Sequence, residues 1–186
     1  MKIKLHSSKQ KRKYALIRWI VFVIMLLFSF LFSTTGTFLK PLIFIPLIVS
    51  ISMKEKELIS AFLGVFSGLL ADISFGKLLG FSSIIFICIC IFTSLIFTHF
   101  LRQNFFNFII TNAFLTFVYI IVDYIFYYNI WNYENINFIL NQFLLPSFLL
   151  TIIFSMFIYP IINKIRKLLT IKKVYILEEN DTIIND

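Results

Sequence analysis

The sequence predicts an all-α membrane protein, a compact bundle of about six transmembrane helices with both termini in the cytoplasm. Three observations predict it. Of the 186 residues, 60% are hydrophobic and only 14% charged, with mean hydropathy +0.93. A soluble domain keeps roughly 25% charged residues to hold its surface in water, so lipid must replace water over most of this one. The few charges fall between long uncharged stretches, and the basic residues crowd the two ends.

The spans follow in order. Residues 1–13 form a basic tail, and the first apolar stretch gives a span at about 15–33. Ser33-Thr34-Thr35-Gly36 offers no A-x-A cleavage site, so this helix is expected to stay attached rather than act as a removable signal. A short second segment covers about 40–53, with Pro41 suited to a helix start and Pro46 expected to kink it. Its uncharged core, 41–53, is only 13 residues, whereas a crossing needs about 20. Lys40 and Lys54 are expected to snorkel to the two interfaces. Further spans are predicted at about 58–76, 78–100, 105–128 and 136–162, completing a membrane domain over 14–169. Residues 170–186, with Glu178, Glu179, Asp181 and Asp186, read as a cytoplasmic tail.

Charge decides whether the short segment spans. Cytoplasmic loops carry the excess of Lys and Arg. Six crossings put both basic ends inside, together with Lys54, Lys56 and Arg102. Of the 17 basic residues only Lys40 and Lys77 then fall outside. The net charge of +8 therefore reads as a topology signal and not as a nucleic-acid face.

Polar residues inside the spans are the informative ones. Gly64, Gly68, Asp72, Gly76 and Gly80 recur every fourth residue, and Ser60 extends the lane backwards. Residues four apart share a helix face, and a lane of small residues lets another helix approach closely in lipid. The lane is a candidate groove, either for packing within the bundle or for a partner helix. Gly76 and Gly80 fall at the exit turn and the start of the next span.

Asp72 and Asp123 are the two carboxylates within spans, and an intramembrane carboxylate costs about 3 kcal/mol on insertion scales. Under six crossings both fall toward the outer end. With Lys77, Tyr119 and Tyr124 they form a candidate outward-facing polar site, in which Lys77 is placed to neutralise Asp72. A polar clamp that fixes helix register is the alternative reading.

Tyr124, Tyr127, Tyr128, Trp131 and Tyr133 read as an outer aromatic belt, with Tyr14 and Trp19 on the inner side. Cys88 and Cys90 point about 200° apart on a helix, so they neither chelate one metal nor pair with each other. His99 reads as an interfacial residue. No G-x-S-x-G, H-E-x-x-H or Walker loop is present, so neither enzyme activity nor a cofactor is expected.

The string ELISAFLGVFSGLLADISFGKLLGFS at residues 57–82 resembles the central motif of the rod shape-determining protein MreD family, carried by Gly64, Gly68, Asp72, Gly76 and Gly80. The resemblance implies a non-enzymatic subunit of the bacterial cell-elongation complex in the inner membrane. It implies association with an MreC-like protein and, through it, with MreB and a RodA-type glycosyltransferase and its transpeptidase in lateral peptidoglycan synthesis. A second reading comes from similar size and span number: the substrate-binding subunit of an energy-coupling-factor vitamin transporter. The Ala-x-x-x-Ala docking motif of those subunits is absent from the first span.

Overall fold

A backbone in hydrocarbon finds no water for its N–H and C=O groups, so each apolar stretch closes its hydrogen bonds within itself as a helix. The computed structural model describes residues 8–35, 41–129 and 144–169. It holds six α-helices: α1 (Ser8–Thr34), α2 (Phe44–Ser52), α3 (Glu57–Phe75), α4 (Phe81–His99), α5 (Phe105–Tyr124) and α6 (Leu145–Leu169). A π-helical turn, Ile125–Asn129, extends α5. No strand occurs among the described residues. Among the described residues, five helices are long and apolar enough to cross a membrane. Lys40, Trp131 and Tyr133 lie outside the described residues, as do the first seven residues and the acidic tail from 170.

The sixth helix, α2, is the centre of the molecule. All nine of its residues are buried, and it packs against each of the other five helices. A tight turn leads into it, with Ile43 already in the right-handed helical region. The Leu42 N–H donates to Thr151 Oγ1 at 2.9 Å, and Arg166 donates to the Ile51 carbonyl at 2.5 Å. Thr151 and Arg166 lie fifteen residues apart on α6, which is roughly 22 Å at 1.5 Å per residue. Residues 43–51 themselves rise only about 12 Å at 1.5 Å per residue, and the long Arg166 side chain reaches back along α6 to meet them. The prolines act differently from the sequence expectation. Pro41 precedes the helix, where its carbonyl accepts from Ile43 N–H at 2.9 Å. Pro46 sits in the first turn, where an N–H has no intrahelical acceptor to lose, so no kink follows.

One end of the bundle gathers the starts of α3 and α5 and the ends of α2, α4 and α6. Glu55 sits at its centre, 3.2 Å from Arg18 of α1 and 3.5 Å from Arg166 of α6. The Glu55 carbonyl accepts from Ser94 of α4 at 2.7 Å, and Gln103 donates to the Met53 carbonyl at 3.1 Å. Lys54 donates to Asn163 at 2.6 Å. The first and last helices thus bring their basic segments to the same end. The opposite end holds the α3–α4 turn and the close of α5.

Candidate functional site

The glycine-and-aspartate lane builds a helical hairpin. On α3, Gly64 and Gly68 face α4 at backbone distance. A Cβ on Gly68 would lie 2.3 Å from Ser83 Cα, and one on Gly64 would lie 2.7 Å from the Phe86 carbonyl oxygen. Only a hydrogen fits at these contacts. The lane is therefore filled by the chain's own α4, and these two glycines are not open to a partner helix. Ser60, one turn earlier on the lane, is also buried.

Gly76 and Gly80 serve the turn instead. Gly76 closes α3 with φ 64°, in the left-handed region, and a Cβ there would meet open space. The Lys77 N–H donates to the Asp72 carbonyl at 2.9 Å and the Gly76 N–H to the Ile73 carbonyl at 3.4 Å. This double closure is a Schellman motif. Gly80 opens α4 with φ 99°.

Having no side chain, Gly80 cannot cap the helix it begins. Asp72 does so from α3. Its Oδ2 accepts from the Gly80 N–H at 2.8 Å and its Oδ1 from the Ser82 N–H at 3.0 Å. A carboxylate at a helix N-terminus also meets the positive end of the helix dipole. Asp72 is fully buried, so these bonds are what make its presence there tolerable.

Lys77 does not pair with Asp72, contrary to the sequence expectation. It reaches across to α5 and forms an ion pair with Asp123. The reason is direction: Asp72 is turned into the start of α4, while Lys77, one residue past the left-handed glycine, points toward α5. The Lys77 amine also donates to Tyr119 Oη at 3.2 Å and lies 5.3 to 5.5 Å from the ring centres of Phe75, Tyr119 and Tyr127. Burial alone would push this amine's pKa down. The adjacent Tyr119 and Asp123 outweigh burial and hold it above the usual lysine range.

The two acids are linked through one chain of contacts. Ser82, whose N–H bonds Asp72, places its hydroxyl 3.1 Å from Tyr119 Oη. Tyr119 accepts from Lys77, and Lys77 pairs with Asp123. Asp72, Lys77, Tyr119 and Asp123 thus occupy one end of the bundle. Tyr124 follows Asp123 in the last turn of α5 and is half-buried.

Sequence reasoning missed four contributors. Ser82 bridges Asp72 to Tyr119. Tyr127, assigned to the aromatic belt, accepts a hydrogen bond from the Leu78 N–H at 3.0 Å and packs edge-on against Phe81. Asn112 and Thr116 continue the buried polar face of α5 below Tyr119 and Asp123. The steps of four, three and four residues between Asn112, Thr116, Tyr119 and Asp123 were the available signal, because they hold to one helix face.

Elsewhere, the two cysteines diverge as the helical period requires, with Cys88 exposed and Cys90 buried. No cluster of three or more potential metal ligands occurs among the described residues. What this end of the bundle offers is a positioned lysine–carboxylate pair flanked by tyrosine hydroxyls, suited to polar recognition.

No curated protein and no solved structure matches the chain. A family model described as rod shape-determining protein MreD matches residues 10–169, which takes in nearly all of the six-helix bundle. The chain is a multi-pass membrane protein and belongs to the rod shape-determining protein MreD family.

Proposed function

We propose that this protein is a non-enzymatic membrane subunit of the bacterial cell-shape complex. It helps to organise lateral peptidoglycan synthesis by associating with an MreC-like protein. Through that protein it connects to MreB and to a RodA-type glycosyltransferase with its transpeptidase. The family match over residues 10–169 carries this reading.

The geometry adds support. The α3–α4 hairpin is held closed from inside, which gives a rigid scaffold rather than a substrate chamber. We place the basic end, with both chain termini, in the cytoplasm. The Lys77–Asp123 pair then faces the periplasm, with Tyr119, Tyr124 and the Asp72-capped turn around it. In this reading that end is the surface a periplasm-facing partner meets.

The test is depletion of the protein in its bacterium, with co-purification of a tagged copy. Loss of normal cell shape together with recovery of an MreC-like protein is the expected result. Normal shape, with recovery of an ATPase-bearing coupling complex, would replace this reading with the vitamin-transport one.

A further inference from the structure

Asn112 and Thr116 lie in the middle third of α5, four residues apart and so on one helix face. Both are fully buried. The amide oxygen and nitrogen of Asn112 and the hydroxyl of Thr116 make no hydrogen bond. Other buried hydroxyls behave differently. Ser67, Thr93 and Thr151 each donate to the carbonyl four residues back on their own helix, at 2.6 to 2.7 Å. The Thr116 hydroxyl is not spent on its own backbone in this way.

The face that carries these two residues looks toward α6. One turn before Asn112, Phe108 packs on Tyr159 of α6 with ring centres 4.8 Å apart, and further along α5 Phe117 meets Phe148. The two helices are therefore antiparallel. One turn along each from the Phe108–Tyr159 contact come Asn112 and Ser155, and one turn more brings Thr116 and Thr151. All four side chains are fully buried. Yet among the described residues no hydrogen bond crosses this layer from α5 to α6. Ser155 donates to the Ile152 carbonyl and Thr151 to that of Ser147. A hydroxyl that donates still has lone pairs with which to accept.

Buried polar groups in native proteins are paired, with protein or with ordered water, and hydrocarbon offers none. The missing partner must both donate and accept, because the Asn112 amide does both. It must also be small, since neither side chain is open to a partner helix. A cation lacks a counter-charge here. Asp123, the carboxylate on α5, is three turns beyond Asn112 and already pairs with Lys77. Water meets all of these conditions, and a buried water is held by two to four such groups.

We propose that Asn112 and Thr116 bind internal water, which bridges α5 to Ser155 and Thr151 of α6. The seam between these helices is wet at depth in the bundle. The site rests on the helix packing alone and is independent of the cell-shape reading.

The test is X-ray radiolytic footprinting of the full-length protein in detergent, in water enriched in heavy oxygen. Radiolysis makes hydroxyl radicals from water in place, so a buried side chain is oxidised where a water lies beside it. Phe108 and Leu115 are the buried apolar neighbours one turn from Asn112, and Phe44 of α2 is an equally buried control. The expected result is heavy-oxygen uptake at Phe108 and Leu115 but not at Phe44. Asn112→Leu should abolish that uptake. If Asn112→Leu does not fold, Thr116→Val, of nearly unchanged shape, should diminish it. Phe108 and Leu115 as silent as Phe44 in the unaltered protein would overturn the proposal. So would undiminished uptake in a monodisperse Asn112→Leu or Thr116→Val protein.

Discussion

At Gly68 the difference between a hydrogen and a methyl group decides whether two helices can touch. The contact is backbone against backbone, 2.3 Å from a would-be Cβ to Ser83 Cα, so no side chain can move aside. Gly68→Ala should cost about 1–3 kcal/mol by overpacking. Gly68→Leu should still insert but should lose the closed hairpin and its function. Gly76 is constrained by its positive φ and not by space. There Asn tolerates the left-handed region better than Ala, so Gly76→Asn should melt above Gly76→Ala. At position 68 Asn should be no better than Ala. Thermal unfolding of the four variants in detergent checks both statements.

Asp72 gives the second residue-scale expectation. Its two oxygens accept two separate N–H groups at the start of α4. Asp72→Ala leaves both unmet and should cost about 1–2 kcal/mol. Asp72→Asn keeps one acceptor and should fall between. Normal cell shape with the Asn variant would mean that hydrogen bonding, and not charge, is what the position needs.

Between elements, the Lys77–Asp123 pair ties the α3–α4 turn to the end of α5. Removing one partner of a buried pair strands the other charge. Lys77→Met alone, or Asp123→Leu alone, should cost about 3 kcal/mol. The double variant should recover most of that loss, and a double-mutant cycle on unfolding reads the coupling directly. The pH dependence has a definite sign. The folded-state pKa of Lys77 lies above its ordinary 10.5. Its contribution is therefore fully present below that value and is lost as pH rises through the folded pKa. The melting temperature should show no Lys77-dependent change from about pH 6 to 9. A fall above the ordinary lysine range should be present in the unaltered protein and absent from Lys77→Met.

At the scale of the whole molecule, the basic end is closed by one carboxylate joined to the first and last helices. Helices α2 and α6 run in the same direction, since Leu42 meets Thr151 and Ile51 meets Arg166. That is the arrangement of six alternating crossings, even though α2 has only nine helical residues. A cysteine at Leu79, in an otherwise cysteine-free background, should react with a membrane-impermeant maleimide from the periplasmic side. One at Arg102 should react only after permeabilisation. The reverse pattern would invert the topology.

Much of this was legible in one dimension. Hydropathy and charge spacing predicted a bundle of membrane helices, because a bilayer punishes any unpaired backbone group and any stranded charge. The repeat of Gly64, Gly68, Asp72, Gly76 and Gly80 marked the hairpin, because a close crossing and its turn need those residue types four apart. Which neighbour each of them meets was settled only in three dimensions. In water, the apolar stripe of a helix points to the core. In lipid, Phe, Ile and Leu are equally at home on either face, so the pattern carries little direction. Exposed Phe62 and buried Phe22 read alike in the sequence. For the same reason the sequence by itself determined that the chain forms membrane helices and where its polar residues interrupt them. Only the packing of those helices against one another decided that α4 fills the glycine lane, that Lys77 turns to Asp123, and that the shortest helix lies at the centre.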